Sequence, residues 1–169
     1  MMKKIVAFVA AILLLVSMTA CAMAATGLGS VTSVSANGAT AEATGAVSVT
    51  TTMCAVSVDE AGVILSVTFD IVESKGAFDA TGAIAGEVNA APQTKVELGD
   101  AYGMKKFSPI GKEWHEQMDA LEAWCVGKTV EEVIAYAYDA EKNVDLLAGC
   151  TMYVGDQYKA LAKAVQAAK

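Results

Sequence analysis

The sequence predicts an α+β domain: a small antiparallel sheet, made of a hairpin plus one or two strands, packed by three helices after a leader and a tether. Three observations lead there. Val47 to Val58 is a run dominated by β-branched residues with a period of two. A turn and a second such run, Val63 to Val72, follow it. Beyond Pro92 the apolar period becomes helical, so strand signals all precede helix signals, as in an α+β chain. A chain of 169 residues accommodates one domain with a tail.

The first element is an export signal. Lys3 and Lys4 precede the uncharged apolar run Ile5 to Val16, and small residues follow. This is the layout of a secretory signal peptide, and the run is shorter than the roughly 20 apolar residues of a membrane-spanning helix. Two cleavage sites compete. Thr19-Ala20-Cys21 resembles a bacterial lipobox, which would make Cys21 the lipidated N-terminus, although Met18 stands where that pattern prefers Leu. Ala22-Met23-Ala24 offers the ordinary small-x-small cut. The lipoprotein is the preferred reading, because Cys21 directly follows the apolar core. The expected organisation is a signal peptide over 1–20, a tether over 21–44 that could hold a short edge strand at Gly27 to Ser35, and the domain over 45–169.

In the domain, Asp59 to Gly62 supplies the hairpin turn between the two strands. Phe78 to Ala85 is a candidate third strand, with Gly82 as a bend. Trp114, Met118, Leu121 and Cys125 recur at steps of four, three and four, marking one face of a helix from Lys112 to Val126. Gly127 ends it. Thr129 and Glu132 form a capping box for a second helix through Val130, Val133, Ile134 and Tyr136. A last helix spans about Gly155 to Ala168, with Tyr158, Leu161 and Val165 on its inner face.

Composition and spacing exclude several functions. The twelve basic residues are all Lys and face nineteen carboxylates, a net charge of −7. Loss of Lys3 and Lys4 on export takes it to −9. A nucleic-acid binder needs a basic face and usually arginine forks, so nucleic acid is not a partner. The single His115 lies in a helix, there is no Gly-x-Ser-x-Gly, and no Cys or His pair has metal-ligand spacing. Cys54, Cys125 and Cys150 share no Cys-x-x-Cys spacing, so they form no disulfide framework; one bridge, or three small hydrophobic thiols, remain open.

One local sequence carries chemistry. Asp145 to Thr151, Asp-Leu-Leu-Ala-Gly-Cys-Thr, lies between two helices, with a small-residue centre and a hydroxyl just before a helix start. An anion there would meet unpaired N–H groups and the positive end of a helix dipole. The alternative reading is an ordinary loop ending in a helix cap.

This segment resembles the flavinylation motif of the FMN-binding domain family, which includes the flavinylated subunits of the sodium-pumping NADH:quinone reductase and of Rnf-type complexes. The family motif runs Asp-x-x-Ser/Thr-Gly-Ala-Thr/Ser. Asp145, Gly149 and Thr151 match it, whereas Ala148 replaces Ser/Thr and Cys150 replaces Ala. The hairpin from Gly45 to Asp70, with its Asp-x-x-Gly turn, is similar to the family's. Thr94 to Met104 and Ser108 to Gln117 look like segments of exported clostridial-type lipoproteins related to it. The resemblance implies that a flavin transferase joins FMN to the Thr151 hydroxyl as a phosphoester, with AMP leaving from FAD. Gly149 would then permit close approach, Asp145 would orient the loop, and Tyr102, Met104 and Trp114 would wall the flavin. The implied protein is an electron carrier more than a stand-alone catalyst, held outside the cytoplasmic membrane by a lipid at Cys21 and serving membrane redox partners, or else secreted. A flavin-free surface binding or structural lipoprotein of the same fold is the alternative. If the helix start lowered the Cys150 thiol's pKa it would be nucleophilic; the simpler reading is a tolerated small residue.

Overall fold

The computed structural model describes residues 24–86, 88, 91–137 and 149–168. Among them are three antiparallel strands in the order β1-β2-β3: β1 Ala25–Asn37, β2 Gly45–Val58 and β3 Ile64–Phe78. Four α-helices follow: α1 Lys95–Leu98, α2 Trp114–Cys125, α3 Val130–Ala137 and α4 Gly155–Ala167, with a 3-10 turn Gly99–Tyr102 after α1. This is the small α+β fold that the sequence predicts.

The β2–β3 hairpin closes at Asp59, whose carboxylate accepts the N–H groups of Ala61 (2.9 Å) and Val63 (2.8 Å). Gly62 takes φ +80°, which an L side chain resists. β1 is longer than the short edge strand anticipated, and pairs along its whole length with β2. Phe78 to Ala85 is not a third strand. β3 itself runs to Phe78, and the chain then turns tightly, returning only an isolated bridge from Phe78 to Ile84. Asp79 causes this turn: its Oδ1 accepts from Thr81 N (2.8 Å), Thr81 Oγ1 (2.6 Å) and Ala83 N (3.0 Å), satisfying the groups that a strand would offer to a ladder.

The two phases of β2 have different fates. Thr52, Cys54, Val56 and Val58 are buried on the helix side, with Ile64, Val67, Phe69 and Ile71 of β3. Val47, Val49, Thr51 and Met53 face away and are only half-buried or exposed. Register slides every side chain to one face or the other, and here the helices select the phase that carries the bulkier partners in β3.

Helix α4 lies across β1 with almost no side chain between the backbones. A Cβ on Gly27 would collide with the Ala164 carbonyl oxygen, and one on Gly29 with that of Ala160. Ala160 and Ala164 are themselves fully buried. Glycine on the strand and alanine on the helix thus set the spacing of these layers. Helix α2 covers β3 with Trp114, Met118, Leu121 and Cys125, all buried as the helical period predicts. Gly127 (φ +81°) ends the segment, and its N–H reaches the Ile64 carbonyl (2.9 Å). The capping box at α3 is present: Thr129 N donates to Glu132 Oε2 (2.8 Å) and Glu132 N to Thr129 Oγ1 (3.3 Å).

Glu122 bridges helix and sheet by accepting the Phe69 N–H (2.8 Å) on the outer edge of β3. Burial raises its pKa above the ordinary carboxylate value, against the lowering effect of that hydrogen bond. A raised folded-state pKa means that the folded protein binds more protons between the ordinary and the raised value. Stability therefore falls as pH rises through that window. Glu122→Gln keeps an acceptor for Phe69 and removes the titration. It is expected to raise the melting temperature at neutral pH and to leave it unchanged in acid below the carboxylate range; equal effects at both would refute the account. Gly27→Ala is expected to destabilise by about 1–3 kcal/mol through overpacking. The neighbouring exposed Thr26→Ala should lie within about 0.5 kcal/mol of wild type. Urea denaturation compares the two.

Candidate functional site

The loop before α4 is held against the first turns of α2, and a buried glutamine holds it. Gln117 is 0% exposed. Its Oε1 accepts the N–H of Thr151 (2.9 Å) and the Thr151 hydroxyl (3.3 Å), while its Nε2 donates to Ser108 Oγ (3.1 Å) and the Lys112 carbonyl (3.4 Å). One carboxamide thereby ties three segments together. Thr151 itself is half-buried, with its hydroxyl at the edge of this network. Among the described residues, no buried side-chain nitrogen or oxygen lacks a partner.

Gly149 has φ +122°, a conformation that strains any L residue. The space beside it is also taken: a Cβ would lie 2.9 Å from the Ala120 Cβ and 3.2 Å from Lys112 Nζ. Glycine at this position is thus required by backbone angle and by the neighbouring helix together. Cys150 is 2% exposed and packs into the core. Burial pushes its thiol's pKa up, outweighing a hydrogen bond from the Met152 backbone, so the helix start does not activate it. Asp145 and Ala148 lie outside the described residues, as does Cys21.

The aromatic wall implied by the family resemblance is divided by the fold. Trp114 is 2% exposed and belongs to the core under α2. Tyr102 is exposed, with Lys95 Nζ 4.8 Å above its ring and 5.5 Å from that of Trp114. Met104 is partly buried, and its N–H donates to Glu113 Oε2 (2.8 Å). Glu113, 3% exposed, also accepts the Lys105 N–H (3.0 Å), so its carboxylate anchors the Met104 loop one turn before Gln117 anchors Thr151. Glu113 N donates in turn to Glu116 Oε2 (2.7 Å), which lowers the pKa of Glu116. Tyr153, two residues past Thr151, is 74% exposed. Its ring occupies the space that a side chain at Gly155 would take. It is an exposed aromatic surface on the segment that leads from Thr151 into α4.

Sequence reasoning singled out Gly149, Cys150 and Thr151 in this loop, but not Gln117, Glu113 or Lys112, which the fold sets around it. The available signal was Gln117 on the apolar stripe of Trp114, Met118 and Leu121, since a polar residue there must be satisfied by something from outside the helix. His115 stands apart, with Nε2 3.8 Å from Asp100 Oδ1 at the surface.

Compared with known proteins, the chain is 42% identical over 86 residues to a chlorophenol reductase of Desulfitobacterium hafniense. The similarity takes in 44% of this chain and 26% of that protein. The chain thus spans about a quarter of the length of this curated relative. No family model and no solved structure matches it.

Burial also sets the behaviour of the other two thiols, those of Cys54 and Cys125, which are pushed up to about 12. Cys54, Cys125 and Cys150, the cysteines among the described residues, are free and buried. Native protein at about pH 8 is expected to resist alkylation by iodoacetamide at Cys54, Cys125 and Cys150. Denatured protein should take up the reagent at each, as read by mass spectrometry of the peptides. Rapid native labelling of Cys150 would contradict its assignment as a packing residue.

Proposed function

We propose that the protein is an exported, membrane-tethered electron carrier holding FMN covalently through a phosphoester at Thr151. The observation that carries this reading is the presentation of Thr151. Its hydroxyl is fixed by Gln117 beside a glycine that only glycine can replace, in the segment that resembles a flavinylation motif. The donor set fits such a group: a hydroxyl to accept the phosphorus, a lysine amine next to Gly149, and an exposed aromatic, Tyr153, two residues along the chain. The similarity of part of the chain to a reductase supports a redox role.

In this reading each residue has a role that its geometry supports. Thr151 Oγ1 would be the acceptor for the FMN-side phosphorus of FAD, with AMP as the leaving group. Gln117 holds the acceptor through backbone and hydroxyl. Gly149 lets the acceptor loop lie against Ala120 and Lys112 of the neighbouring segment, where a side chain would collide. When bound, flavin supplies one- and two-electron transfer at a site that the protein positions. Lipidation at Cys21 and the tether after it would keep that site near membrane redox partners. A covalent bond suits an exported carrier, because free FMN would diffuse away.

Co-expression of the full chain with a flavin transferase in an exporting host tests the reading. Wild type is expected to fluoresce in a denaturing gel and to gain the mass of FMN. Thr151→Ala should lose both while keeping its fold. A dark wild type without the added mass would sink the proposal. The anchor is tested separately: Cys21→Ser should move the protein from the membrane to the soluble fraction, and continued membrane association would count against lipidation.

A further inference from the structure

The geometry points to Lys112 and Gln117 as the residues that prepare Thr151 for a phosphoester, Lys112 as counter-cation and Gln117 as the positioning residue for the hydroxyl. This deepens the reading of Thr151 as the flavin acceptor and rests on it.

The orientation of the Gln117 carboxamide is fixed by its surroundings. Its Nε2 faces two acceptors, Ser108 Oγ and the Lys112 carbonyl, so its Oε1 must face Thr151. The reverse orientation would set an amide NH2 against the Thr151 N–H, donor against donor, in a fully buried position. The Thr151 hydroxyl proton is therefore directed at Gln117 Oε1. The oxygen's lone pairs are left to face the approaching phosphorus. A carboxamide oxygen is too weak a base to keep that proton, which passes to a base of the transferase as the O–P bond forms and AMP departs. Once the ester exists, Oε1 still accepts the Thr151 N–H, so the loop is held before and after the reaction.

Lys112 supplies the charge. Its Nζ lies 3.2 Å from where a Gly149 side chain would begin, two residues before the acceptor. Its backbone belongs to the same network: the N–H donates to Ser108 Oγ (3.4 Å) and the carbonyl accepts from Gln117. It is half-buried, and among the described residues it forms no ion pair. A phosphodiester carries a permanent negative charge, and this chain has nineteen carboxylates and no arginine to offset it. A half-buried ammonium facing the loop, in no direct ion pair and sharing only the longer-range attraction of Glu116, is the arrangement that such an anion requires.

Full-length Lys112→Gln is expected to be flavinylated about tenfold more slowly than wild type, the usual worth of one charge-assisted contact. Lys112→Arg should recover most of the rate. The wild-type rate should fall with salt, and the Lys112→Gln rate should not. A purely structural lysine would show neither the rescue nor the lost salt dependence. Gln117→Met, checked for folding by circular dichroism, should also be slow, with its salt dependence intact. A readout without flavin accompanies these: inorganic phosphate, titrated at constant ionic strength, should shift the Thr151 and Gly149 amide resonances in wild type and Lys112→Arg but not in Lys112→Gln. Flavinylation of Lys112→Gln at the wild-type rate overturns the proposal. A wild type that the transferase leaves unmodified overturns the acceptor reading instead, and the phosphate titration then decides alone whether Lys112 forms an anion site.

Discussion

The close approach of helix α4 to strand β1 governs where everything else can sit. Gly27 and Gly29 bring the strand backbone against the carbonyls of Ala164 and Ala160, a distance that no side chain would allow. Helix–sheet layers usually keep apart by the thickness of their side chains. Here glycine and alanine remove that thickness at the edge of the sheet, while Val56 and Phe69 restore it further in. Lys163, on the same helix, donates to the Ser30 carbonyl (2.8 Å) of the edge strand. With α4 seated so closely, the residues leading into it have little freedom, and Thr151 is delivered to the flank of α2.

Helix α2 has two tasks that conflict. It must bury an apolar face on β3, and it must hold two loops by polar groups inside the same buried surface. Glu113 and Gln117 resolve this one turn apart, Glu113 on the backbone of Met104 and Lys105 and Gln117 on Thr151. Glu122, further along, takes the Phe69 N–H. Each of the three accepts at least one backbone N–H from another segment of the chain. The site is thus built by the requirement to satisfy the buried Glu113 and Gln117 side chains.

Much of the fold was legible in the order of residues. The hairpin, the helical stripe of Trp114, Met118, Leu121 and Cys125, the capping box at Thr129 and the stop at Gly127 rest on interactions between near neighbours, and they appear as read. Phe78 to Ala85 was misread because Asp79 folds its own backbone into a turn, which outcompetes the strand preference of the residues around it. The length of β1 was underestimated because its Gly, Ser and Thr residues look like a linker until a helix is laid on them.

The sequence by itself determined that Thr151 is a hydroxyl in a small-residue segment before a helix, two residues after a glycine, in a chain without arginine. Local spacing carries that information. Only the tertiary structure decided which residues meet this loop, because Gln117 is 34 positions from Thr151 and Lys112 lies outside the motif. It also decided that Trp114 is core while Tyr153 is surface, and that Cys150 is a packing thiol. Burial and hydrogen-bond partnership depend on elements brought together across the chain, and no periodicity within one segment encodes them.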